Sequence, residues 1–254
     1  MADQPNQFVW HELMTTDAKA AESFYTKVIG WDAKDSGLPD RTYTLLSAGP
    51  IFVAGLMSTP PNAAGAPPTW MGYIGVDNVD TYTDKVKAAG GSICLAPQDI
   101  PGIGRFAVAQ DPHGAMFTLF TGSNLQPPSA EPGTYGLVGW NELHAADLET
   151  AWVFYSGLFG WTKADAVDMG PMGIYQLFAT GGVPVGGMMT KTPQSPAPFW
   201  LYYFNVYSID TALERVNLAG GKLLQGPHQV PGGSWIVQCV DPQGALFALV
   251  ATQR

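Results

Sequence analysis

WHELMTTDAKAAESFYTKVIGW, residues 10–31, returns 130 positions later as WNELHAADLETAWVFYSGLFGW, residues 140–161. Trp10, Glu12, Leu13, Asp17, Phe24, Tyr25, Gly30 and Trp31 are matched by Trp140, Glu142, Leu143, Asp147, Phe154, Tyr155, Gly160 and Trp161. The echo extends outward at the same offset. Trp70 matches Trp200, Gly90-Gly91 matches Gly220-Gly221, and Asp111-Pro-His-Gly-Ala-Met-Phe matches Asp241-Pro-Gln-Gly-Ala-Leu-Phe. Solenoid repeats run roughly 20–50 residues, so a repeat of this length is a duplicated domain. The expected division is domain 1 over 1–121, a linker over 122–133 and domain 2 over 134–254, the Thr121–Gly133 stretch being rich in proline and free of hydrophobic periodicity.

Local chemistry gives each half the same plan. A strand over Phe8–Met14 leads to Asp17, whose side chain can accept from the free amides of a helix start. Ala21, Phe24, Tyr25 and Val28 then fall on one helical face, and Gly30 suits a left-handed stop. Strands are expected over Tyr43–Ala48, Ile51–Met57 and Trp70–Val76. A second helix runs over Val79–Ala89, and strands follow over Ser92–Ala96, Gly104–Gln110 and Ala115–Thr121. The reading is an α+β chain of four strand–helix–strand–strand–strand (βαβββ) units, forming two curved, mostly antiparallel sheets.

Composition narrows the function. Of 254 residues, 46% are hydrophobic and only 13% charged, and the net charge is −9. Nucleic-acid binding needs clustered Lys and Arg to neutralise phosphates, and twelve scattered basic residues provide no such stripe. No run of 18 apolar residues predicts a membrane span, and the N-terminus lacks a signal-peptide pattern. The expectation is a cytoplasmic protein with neither nucleic-acid nor membrane partners. Cys94 and Cys239 occupy non-equivalent repeat positions, which suggests reduced thiols rather than a disulfide or zinc site.

Four such units, with Asp-x6-Phe-Tyr in the first helix and Asp-Pro-x-Gly before the last strand, resemble the vicinal oxygen chelate superfamily. It includes glyoxalase I, extradiol dioxygenases and bleomycin-resistance proteins. More narrowly, the chain is similar to two-domain bacterial glyoxalase-like proteins loosely named hydroxylases or antigens. Fold alone does not fix chemistry. The resemblance implies, for metal-dependent members, a glutamate ligand seven residues after the Asp of Asp-Pro-x-Gly. Those positions hold Thr118 and Ala248. The first-strand ligand position falls on Trp10 and Trp140, and the corresponding place in the second units near Trp70 or Met71 and Trp200 or Leu201. No metal or other cofactor is therefore expected. With four units in one chain, the resemblance implies a monomer or weak homodimer.

The candidate catalytic residues are Glu12, Glu142 and His144. On a strand, alternate side chains share a face, so Trp140, Glu142 and His144 point together, as do Trp10, Glu12 and Met14. A carboxylate buried there without a partner costs several kcal/mol, so each glutamate needs a fixed partner or a ligand. The candidate ligand-binding residues are Trp10, Glu12, Tyr43, Trp70, Arg105, Trp140, Glu142, Tyr175 and Trp200, an aromatic set suited to planar or hydrophobic molecules. Core packing is the alternative for the aromatics, and a surface ion pair for Arg105. His11 is expected at the surface or an interface, and His113 in a solvated turn. No Gly-x-Ser-x-Gly motif supports a serine nucleophile, and Gly102-Ile-Gly104 lacks the strand-to-helix context of a dinucleotide site. Two functions stand open: metal-independent binding of a small aromatic or hydrophobic molecule, in a sequestering or resistance-like role, or a glyoxalase- or dioxygenase-like enzyme with a displaced site around Glu12 or Glu142 and His144.

Overall fold

The computed structural model describes residues 6–38, 41–122 and 130–254, so residues 123–129 of the expected linker lie outside the described residues. The first repeat runs β1 (Phe8–Thr15), α1 (Ala18–Val28), β2 (Asp32–Asp35), β3 (Thr44–Ala48), β4 (Ile51–Ser58), β5 (Thr69–Gly75), α2 (Val79–Ala88), β6 (Ser92–Ile100), β7 (Gly104–Gln110) and β8 (Met116–Gly122). The second repeats it as β9 (Val138–Ala145), α3 (Leu148–Phe159), β10 (Thr162–Asp168), β11 (Ile174–Thr180), β12 (Val183–Thr190), β13 (Phe199–Asn205), α4 (Ile209–Leu218), β14 (Lys222–Gln229), β15 (Trp235–Val240) and β16 (Leu246–Ala251). The four βαβββ units are present, and the fold is α+β.

Each repeat builds one eight-stranded sheet, in the orders β2-β3-β4-β1-β5-β8-β7-β6 and β10-β11-β12-β9-β13-β16-β15-β14. The outer pairs are antiparallel, while β1–β4, β5–β8, β9–β12 and β13–β16 are parallel. The sheets are thus mixed. Strand β2, DAKD, is exposed throughout and carries none of the apolar alternation that marks a strand; pairing with β3 alone defines it. Strand β6 continues four residues past Ala96, its predicted end, to Ile100.

Helix starts follow the sequence closely. Asp17 accepts from the Ala20 amide at 3.0 Å and Asp147 from Thr150 at 2.9 Å, satisfying amides that have no partner inside the helix. Asn78 and Ser208 cap α2 and α4 in the same way. Gly160 closes α3 with φ of 67°, a left-handed conformation that a side chain would resist.

Compactness divides the chain along a different line from the repeats. One unit holds the described residues of Met1–Trp10, Met71–Pro127 and Trp140–Trp200; the other holds those of His11–Trp70, Pro128–Gly139 and Leu201–Arg254. Each unit therefore joins one βαβββ motif from the first repeat to one from the second. In the first unit Tyr155 donates to Asp111 at 3.4 Å, and the Trp200 indole donates to Tyr155 at 3.1 Å. In the second, Tyr25 donates to Asp241 at 3.1 Å and Trp70 donates to Tyr25 at 2.8 Å. The aspartate's other oxygen holds its own turn: Asp241 Oδ1 accepts from the Gln243, Gly244 and Ala245 amides, and Asp111 Oδ1 from His113 and Ala115. The signature tyrosine of one repeat thus meets the signature aspartate of the other.

Aromatic rings fill the space around these bonds. Trp161 stacks on Phe178 at 4.4 Å, and Trp31 packs edge-on against Phe204 at 5.0 Å. The repeated Gly-Trp tryptophans end on backbone carbonyls, Trp31 on Gly136 at 2.8 Å and Trp161 on Asn6. Gly136, with φ of 81°, lets Trp31 approach, because a Cβ there would lie 3.0 Å from the indole nitrogen.

Candidate functional site

Strand alternation sends β1 side chains to two faces. Leu13 lies fully buried on one, while Glu12 lies on the other. Glu12 is 8% exposed, and Tyr43, just before β3, donates to its Oε2 at 2.8 Å. Tyr43 reaches it by passing over β4, where Gly55 pairs in register with Glu12. A Cβ on Gly55 would sit 1.8 Å from the Tyr43 hydroxyl oxygen. The glycine is there because the tyrosine lies on it.

The second repeat builds the same device. Glu142 is in register with Gly187, and a Cβ on Gly187 would lie 2.3 Å from Tyr175 Cζ. Tyr175 hydrogen-bonds to Glu142 and accepts the Trp140 indole N–H at 2.7 Å. Burial first, and the Glu142 charge second, raise the Tyr175 phenol well above its ordinary value, so it remains a protonated donor. A charge-assisted hydrogen bond is worth about 1.5–3 kcal/mol, which offsets part of the cost of drawing each carboxylate out of water.

Here the repeats diverge. His144, two residues past Glu142, puts Nε2 2.9 Å from Glu142 Oε2, and its ring stacks on Phe199 at 4.5 Å and 6°. Met14 and Thr69 occupy these two places in the first repeat. The second site is a carboxylate shared by a phenol and an imidazole, an arrangement competent for proton transfer. The first lacks the imidazole.

The remaining candidates fall elsewhere. Trp70 and Trp200, 5% and 6% exposed, take part in the Tyr25 and Tyr155 networks, so the core explains both. Trp10 is buried at the start of the Glu12 strand. Arg105 is committed at the surface: its guanidinium meets Asp80 through two nitrogens, at 2.8 and 2.9 Å, and Asp99 at 2.8 Å. The Arg105 hydrogen bond holds the Asp80 carboxyl below its usual range. His11, expected at the surface or an interface, is not at the surface; it is buried and packs edge-on to Tyr202 of the other repeat at 4.7 Å, because it shares the inward face of Leu13. His113 is exposed beside Thr150.

The residues at the superfamily's metal-ligand positions do not fit a metal. Thr118 is buried and donates its hydroxyl to Met71 Sδ at 2.9 Å. Ala248, in register with Tyr203, offers a methyl group. Indoles such as Trp10 and Trp140 donate but carry no lone pair for a cation. Among the described residues no three His, Cys, Asp or Glu side chains gather as a metal cluster. No helix among them is long and apolar enough to cross a membrane.

Sequence reasoning singled out Glu12, Glu142, Tyr43 and Tyr175, but it passed over Gly55, Gly187 and Phe199. A glycine inside an apolar strand marks a close approach, and that signal was available for the first two.

Comparison with known proteins returns one family. The profile of the Glyoxalase/Bleomycin resistance protein/Dioxygenase superfamily matches residues 6–119 and again 138–249. The chain is 32% identical over 244 residues to CFP32 of Mycobacterium tuberculosis, which carries a provisional glyoxylase name, covering 95% of this chain and 93% of that one. It is 30% identical over 261 residues to the anthracycline biosynthesis protein DauV of Streptomyces sp. strain C5, covering 97% and 93%. Among solved structures, the Mn(II)-bound glyoxalase from Novosphingobium aromaticivorans is similar with a TM-score of 0.67 and 15% identity, over 99% of this chain and 84% of that one. The 2,3-dioxygenase LapB from Pseudomonas sp. KL28 is similar at 0.65 and 11%, over 95% and 90%. At these identities the two structures speak for the fold alone.

Proposed function

The chain belongs to the Glyoxalase/Bleomycin resistance protein/Dioxygenase superfamily, and from that premise we propose that it binds a small aromatic or hydrophobic molecule without a metal ion. The observation that carries this reading is the duplicated glutamate–tyrosine pair laid over a glycine, on β1 and β9 beside Trp10 and Trp140, while the superfamily's glutamate-ligand positions on β8 and β16 hold Thr118 and Ala248. A buried carboxylate ringed by phenol and indole gives an apolar site one strong acceptor, the composition of an orienting contact in a small-molecule site. The anthracycline biosynthesis name of one relative agrees with a planar aromatic ligand.

A second reading is favoured by the 2.9 Å contact between His144 and Glu142: the second repeat performs acid–base catalysis on the bound molecule. The discriminating experiment is thermal shift and calorimetry with aromatic metabolites, before and after exhaustive chelation, alongside metal analysis. Binding that raises the melting temperature and survives chelation supports the proposal. A stoichiometric divalent ion required for binding overturns it, and turnover of a ligand without metal moves the assignment to the second reading.

A further inference from the structure

The two repeats share the carboxylate–tyrosine pair, yet only the second adds an imidazole. Resting on the binding reading above, we infer that the second repeat's site selects ligands with an acidic hydroxyl, a phenol or enol, and that His144 Nδ1 takes its proton. Tyr175 gives its O–H to Glu142, and Trp140 in turn gives its N–H to Tyr175. With His144 Nε2 2.9 Å from Glu142 Oε2, the carboxylate fixes the tautomer that carries hydrogen on Nε2, leaving the Nδ1 lone pair outward.

That second nitrogen has no hydrogen-bond partner among the described residues. Nor is it among the sealed polar atoms that lack one, which are Thr15 Oγ1, Thr59 Oγ1 and Gln243 Oε1. It is therefore open to solvent or ligand although the residue is 9% exposed. Phe199, parallel to the imidazole at 4.5 Å, holds the ring so that its edge is offered, and its face favours the cation formed on protonation. The step balances simply. The ligand O–H bond breaks, an N–H bond forms at Nδ1, and the ligand oxyanion pairs with an imidazolium already bonded to Glu142. The first repeat has Met14 at the imidazole's place, and its Glu12 is already engaged by Tyr43. The duplicated sites are thus unequal, one for hydroxyl-bearing rings and one indifferent to the hydroxyl.

The test uses the full chain with 4-nitrophenol, whose anion absorbs visibly, and its methyl ether 4-nitroanisole, at a pH where the free phenol is mostly protonated. The expected result is a saturable phenolate band of one equivalent and, at that one site, binding of the ether that is roughly tenfold weaker or worse, since a site built around a ligand hydroxyl rejects the analogue lacking its proton. His144→Phe, which keeps the stack, should abolish the band and bring phenol binding down to the ether's level. Met14→His should add a second equivalent of band. A band that survives His144→Phe overturns the inference, as does equal binding of both probes without a band, in which case the binding reading stands. Binding of neither probe removes the binding reading for this ligand class, and the inference with it.

Discussion

Replacing Tyr25 with Phe removes one oxygen from a fully buried position and tests whether the signature tyrosine and aspartate hold the fold together. The Tyr25 hydroxyl accepts from Trp70 at 2.8 Å and donates to Asp241 at 3.1 Å. Without it the buried indole N–H has no partner, a loss of about 1–3 kcal/mol. Asp241 keeps its three amide donors but loses a charge-assisted bond of about 1.5–3 kcal/mol. Relief from burying the hydroxyl offsets part of this, so the net loss expected is about 3 kcal/mol. Denaturant unfolding should show a lower midpoint with an unchanged slope. Tyr155→Phe should cost less, because its bonds are longer, at 3.1 and 3.4 Å. In a double-mutant cycle Tyr25→Phe and Asp241→Asn should couple strongly. A loss under about 0.5 kcal/mol, or a larger loss in Tyr155→Phe, would refute the reasoning.

Other outcomes follow from the same geometry. Asp241 has its folded pKa raised, chiefly by burial, so its titration contributes stability fully present below the unfolded carboxylate value and lost as pH rises through the folded one. The stability of the native protein relative to Asp241→Asn should accordingly grow as pH falls through that window, and a flat difference in paired denaturation curves would contradict it. Gly55→Ala and Gly187→Ala should each cost about 1–3 kcal/mol through forced displacement of Tyr43 or Tyr175, with partial rescue when the tyrosine is shortened to Leu; calorimetric melting decides. Cys239 is buried, with its thiol pushed up to about 12, while Cys94 is exposed. A chromogenic thiol reagent should therefore count one prompt cysteine and a second only on unfolding.

Helix starts and the repeat were legible in the sequence because both are written in local spacing: Asp17 and Asp147 cap where the periodicity places them. Glu12 and Glu142 were legible through duplication, as the polar residues kept on a strand face shared with tryptophan. What connects them was not. Tyr25 and Asp241 are separated by 216 positions, and no periodicity reports a bond of that span. Recognising both motifs as signatures left open that each repeat completes the other's. Strand β2 escaped because an exposed edge strand has no buried face to impose alternation. Trp70 and Trp200 fitted either a binding wall or a core, since aromatic character is common to both, and only the hydrogen bonds to Tyr25 and Tyr155 separate the two uses. The outward imidazole edge of His144 depends on Phe199, a neighbour the sequence places 55 positions away.

The interleaving of repeats in each compact unit has a consequence for how the molecule can be taken apart. Tyr25 without Asp241, or Asp111 without Tyr155, is half of a joint, so either repeat expressed alone is expected to lose stability. Being one chain is itself a tether that keeps two mutually dependent halves at a high effective concentration. Cutting that tether would turn an intramolecular closure into a bimolecular one, and the persistence of the fold would then depend on dilution.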